Sequence, residues 1–83
     1  MKREEAKKMV REKLLEITAK RGPEKTCCPS DVVRSLFPAW REYMELCMEV
    51  GWELEAEGRI EVCQHGERVH PPVRGPVRFR QKK

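Results

Sequence analysis

Gly58-Arg59-Ile60-Glu61-Val62-Cys63-Gln64-His65-Gly66-Glu67-Arg68-Val69 is the stretch where helical periodicity gives way to strand periodicity. Ahead of it, from Trp40 to Glu57, the spacing predicts a helix. Trp40, Tyr43, Met44, Cys47, Gly51 and Leu54 share one side, while Glu42, Glu45, Glu49 and Glu53 line the other. Gly58 follows where a helix end favours a left-handed residue. Arg59 to Cys63 then alternates polar and apolar, as a half-buried strand does. His65-Gly66 reads as a tight turn that tolerates positive φ, with Glu67 to Val69 as the return arm.

Toward the N-terminus, Ala6, Met9, Val10, Leu14 and Ile17 fall on one arc of a helix between Arg3 and Lys20. Lys13 interrupts that arc and Leu15 lies opposite it. Gly22-Pro23 ends the helix, since proline cannot continue the hydrogen-bond ladder. Thr26-Cys27 adds a very short strand. Pro29 suits the first turn of a second helix, with Ser30-Asp31 behind it, Val32, Val33 and Leu36 on its buried side, and Pro38 as its stop. Toward the C-terminus, beyond Pro71-Pro72 and Gly75-Pro76, Val77 and Phe79 alternate inward with Arg78 and Arg80 outward. Gln81-Lys82-Lys83 is expected to fray.

Helix, short strand, helix, helix and hairpin is the element order of a winged-helix domain, a helix-turn-helix variant of α+β class with an antiparallel wing. The chain is expected to form one domain over 1–83, ordered from about residue 3 to about residue 80. Arg21-Gly22-Pro23, Lys25-Thr26, Cys28-Pro29-Ser30-Asp31-Val32, Trp40-Arg41, Gly58-Arg59-Ile60-Glu61-Val62, Gln64-His65-Gly66 and Arg74-Gly75-Pro76-Val77-Arg78 together resemble a family of small bacterial winged-helix proteins catalogued only as a domain of unknown function. The resemblance spans roughly residues 10–80. It implies the fold and brings no activity with it. Members of that family tend to carry a basic residue midway along the third helix, where this chain has Met48 among glutamates.

At 83 residues the core must be thin. Apolar and charged residues each make up 39%, enough apolar content for a core but no run able to span a bilayer. The N-terminus leads into a charged helix in place of an apolar targeting stretch, so a cytoplasmic location is expected. In that setting Cys27, Cys28, Cys47 and Cys63 are expected to be reduced.

The net charge of +4 is unevenly spread. Residues 1–25 carry nine Lys/Arg against five Glu, residues 26–58 two Arg against seven acids, and residues 59–83 seven Lys/Arg against two Glu. An acidic middle thus lies between basic ends. The third helix of such a fold ordinarily enters the major groove, and four glutamates there would repel DNA. That face is expected to be solvated and paired with basic residues of the first helix. The basic residues of the hairpin and tail, Arg68, Arg74, Arg78, Arg80, Lys82 and Lys83, are candidate contacts to DNA or RNA backbone, giving salt-sensitive and largely sequence-independent binding.

Other chemistries find little support. Cys27 and Cys28 are adjacent, Cys47 is solitary, and His65 and His70 stand five residues apart without a matching cysteine pair, so no metal or other cofactor is expected. No nucleophile and base stand at suggestive spacing, and no small-molecule substrate or enzymatic role is expected. The alternative to nucleic acid is protein association, as a homodimer through the first helix or a contact through the Trp52 region, with Leu15 and Leu46 as further exposed apolar residues.

Overall fold

The computed structural model describes residues 2–82. In chain order the elements are α1 (Arg3–Arg21), β1 (Thr26–Cys27), α2 (Pro29–Arg34), a 3₁₀ turn (Trp40–Tyr43), α3 (Met44–Ala56), β2 (Ile60–Gln64), β3 (Glu67–Arg68) and β4 (Arg78–Gln81). Three α-helices thus accompany a four-stranded antiparallel sheet of order β1-β4-β2-β3, an α+β fold in a winged-helix-like arrangement.

The helices begin and end where local chemistry directs. Gly22 closes α1 at φ 78°, its N–H donating to the Thr18 carbonyl. Pro29 starts α2, and the Cys28 N–H donates to Asp31 Oδ2 at 3.1 Å, so the first turn is capped from within. The helix read from Trp40 to Glu57 divides in two: Trp40–Tyr43 is a tighter 3₁₀ turn, and the α-helix proper starts at Met44. Pro38 keeps the preceding chain out of helical geometry. Gly58, at φ 75°, then turns the chain into β2.

His65 and Gly66 both take positive φ, 54° and 83°, which matches the right-handed twist of the β2–β3 hairpin. The hairpin does not hold the C-terminal strand at its rim. Instead β4 lies inside the sheet, with Phe79 opposite Cys27 on one side and Val62 on the other. Gln81 pairs with Ile60 and belongs to β4, in contrast to the frayed end expected from residue 81. Strand alternation continues to that point because Val77 and Phe79 both reach the core.

One apolar core joins the layers. Ala6, Val10 and Leu14 of α1 meet Val32 and Val33 of α2, Leu46, Cys47, Val50 and Leu54 of α3, and Ile60, Val62 and Phe79 of the sheet. Burying a ring such as Phe79 stabilises the fold by roughly 2–3 kcal/mol. Leu46 is buried and Leu15 is half-buried against the core, so neither is the exposed apolar residue expected from the helical projection. Thr18 completes the buried side of α1, its hydroxyl donating to the Leu14 carbonyl at 2.9 Å. Trp40 and Tyr43 lie at the core's margin: Tyr43 stacks on Phe37 with ring centroids 3.9 Å apart, and Trp40 lies under the guanidinium groups of Arg34 and Arg41.

Candidate functional site

The acidic side of α3 lies against α1. Arg3 bonds Glu49, Lys7 Nζ is 2.5 Å from Glu53, and Arg11 Nη1 donates to Glu57 at 2.8 Å. Each series advances by four residues, so the two helices form a ladder of ion pairs along one seam. The expected pairing with the first helix therefore holds for Glu49 and Glu53, and Glu57 extends it. Glu42 and Glu45 remain exposed.

The basic candidates of the wing and tail do not assemble into one outward face. Arg68 Nη2 bonds Glu55 of α3 at 2.9 Å, with His70 Nδ1 3.5 Å from the same carboxylate. Arg80 holds Glu61 directly across the β2–β4 pair at 2.6 Å, and its side chain is 23% exposed. This bond holds the Glu61 carboxyl below the usual carboxylate range, against the opposing effect of desolvation. Arg78 turns along the sheet toward β1, where Nε donates to Thr26 Oγ1 at 2.6 Å and Nη1 lies 2.8 Å from Cys28 Sγ. Arg74 and Lys82 are exposed, and Lys83 lies outside the described residues. The Glu61–Arg80 pairing was open to a cross-strand register argument. The Arg68–Glu55 contact depends on where the hairpin packs.

The two basic ends do meet at one point. Arg21, ending α1, donates to the Thr26 carbonyl at 2.8 Å, while Arg78 reaches the hydroxyl of the same residue. Lys20, Arg21 and Arg34 line a shallow depression of about 460 Å³ there, shared with Asp31, which takes up part of the charge.

A second concavity, about 540 Å³, separates α3 from the loop that leads into β4. Its floor is Met44, Met48 and Trp52, a stripe at four-residue spacing beside the buried one. Val73, Pro76 and Val77 form the opposite wall, and Cys28 with Pro29 closes the end near α2. The wall is held by Gln64, whose Nε2 donates to the carbonyls of Arg74 at 2.6 Å and Pro76 at 3.3 Å. This groove lies between the third helix and the loop that leads into β4. Its lining is mostly apolar. Periodicity had placed Met44 in the core and Trp52 beside it, but the loop residues that make the stripe a groove carry no period of their own.

The thiols divide by burial. Cys27, Cys47 and Cys63 are buried and unpaired, whereas Cys28 is half-buried on the groove wall. Desolvation pushes the Cys27 thiol up to about 11 and that of Cys47 up to about 12, so both stay protonated and serve as packing. Among the described residues no three His, Cys, Asp or Glu side chains come together as metal ligands, and no helix is long and apolar enough to cross a membrane.

No curated protein is significantly similar to this chain. A family model described as protein of unknown function (DUF3253) matches residues 7–82, from the second turn of α1 to one residue beyond the end of β4, and the chain therefore belongs to that family.

Proposed function

We propose that this domain is a cytoplasmic, non-enzymatic docking module that receives a segment of another protein in the groove between α3 and the wing loop. One observation carries the reading: the face between third helix and wing is a trough of Met44, Met48, Trp52, Val73 and Pro76, where DNA recognition would need donors and cations. Concave, mostly apolar surfaces with a few polar groups at the edge are the usual form of docking sites. Four unpaired thiols suit a reducing compartment.

A second reading, contact with DNA or RNA backbone, draws on the meeting of Arg21 and Arg78 at Thr26, with Arg74 and Lys82 as further cations. It is the weaker one, because Arg68 and Arg80 already hold Glu55 and Glu61. Two titrations separate the readings. An apolar fluorescent dye should bind the folded protein and lose its site in Met48→Glu, with circular dichroism unchanged. Duplex DNA and single-stranded RNA should show no salt-sensitive complex. A complex that weakens with salt and disappears in Arg74→Glu with Arg78→Glu would move the function to the second reading, and a dye indifferent to Met48→Glu would remove the groove from consideration.

A further inference from the structure

We infer that the groove's occupant is an amphipathic helix of a partner protein, bearing acidic side chains along the flank that meets the wing. This rests on the docking reading above and adds the shape and charge of the partner.

The shape follows from the floor and the wall. Met44, Met48 and Trp52 span about 12 Å of helix, the length of two turns, and offer anchor spacing that matches apolar residues at i, i+3 or i+4 and i+7 of an incoming helix. Methionine side chains adapt to such a face at little strain. An extended strand would need free backbone groups on the wall. There the Arg74 and Pro76 carbonyls are both taken by Gln64, and Pro76 has no N–H to give.

The charge follows from what lines the rim. Arg74 stands between the lining residues Val73 and Gly75, and Arg78 reaches the lining residue Cys28; both are exposed, and neither forms an ion pair with a carboxylate among the described residues. On the α3 side the negative charges are turned away or compensated. Glu45 lies in a separate cleft beside Arg3, Glu49 is bonded to Arg3, and Glu55 is bonded to Arg68. The mouth of the groove is therefore net positive, and an acidic flank is its complement.

Two designed helical peptides with the same leucine face, one flanked by glutamates and one by lysines, test the inference by fluorescence anisotropy. The acidic peptide should bind at least about tenfold more tightly at low salt, and Arg74→Glu with Arg78→Glu should reverse the order. Binding should also slow alkylation of Cys28 in the wild-type protein, since this thiol lies on the groove wall. Equal binding of both peptides, or an order unchanged by the charge reversal, would overturn the acidic partner. Failure of both peptides while the apolar dye still binds would overturn the helix and leave the groove. Failure of both peptides and the dye would end the docking reading itself. Concentration-dependent dimerisation that protects Cys28 without peptide would make a second copy the occupant and overturn the inference as well.

Discussion

Gly51 lies in the middle of α3, where glycine is a poor helix former, because Phe79 occupies the space its side chain would need. A Cβ built there would stand 2.5 Å from Phe79 Cε1 and 2.6 Å from Cζ, and the ring itself is fully buried. Alanine should gain up to about 1 kcal/mol in helix propensity yet lose about 1–3 kcal/mol to overpacking. We therefore expect Gly51→Ala to lower the urea midpoint, and a rise would mean that Phe79 can move aside. The thiols give a second residue-scale expectation. Near neutral pH a thiol reagent should modify Cys28 quickly and reach Cys27, Cys47 and Cys63 only as fast as the protein opens, giving one fast equivalent in the native state and four in denaturant. Gly51 was recognisable on the apolar stripe from its position alone. The reason for a glycine there was not, since its partner is 28 residues away on another element.

Between elements, the seam of α1 and α3 joins Arg3, Lys7 and Arg11 to Glu49, Glu53 and Glu57. All are solvent-accessible pairs, so they set the relative register of the helices more than they stabilise the fold. Lys7→Glu should lower the thermal midpoint modestly, the added Glu53→Lys should restore most of the loss, and high salt should shrink both changes. The loop between β3 and β4 depends on another element contact, the bonds from Gln64 to the carbonyls of Arg74 and Pro76. Gln64→Ala should cost about 1 kcal/mol and speed amide exchange at Val73, Arg74 and Gly75 while leaving β2 and β4 protected. Uniformly faster exchange across the sheet would show that Gln64 supports the fold as a whole. Four-residue charge periods on both helices made the first of these contacts legible. The second joins a strand to an irregular loop and has no such signature.

For the whole molecule, pH acts through carboxylates that the fold engages. Hydrogen bonds from Arg11, Arg80 and Lys13 hold Glu57, Glu61 and Glu16 below the usual range. A depressed folded-state value means stability that is present above the ordinary carboxylate range and lost as pH falls through the folded values. Urea midpoints should accordingly fall in acid, and Glu61→Gln should flatten part of that slope. Buried Cys27 and Cys47 act in the opposite direction. Their raised values favour the unfolded chain once its thiols begin to ionise, so stability should also decline at alkaline pH. Local periodicity and the glycine and proline signals were enough to place the three helices, though not the 3₁₀ start at Trp40, together with the hairpin turn, the inward alternation of Val77 and Phe79, and hence the α+β class, because each depends on neighbours within a few residues. Tertiary structure alone decided that β4 runs between β1 and β2, that Arg68 is spent on Glu55, and that Met44, Met48 and Trp52 face a loop across an open groove. Those outcomes depend on which distant surfaces pack together, and a charge or an apolar stripe has no meaning for binding until its long-range partners are in place.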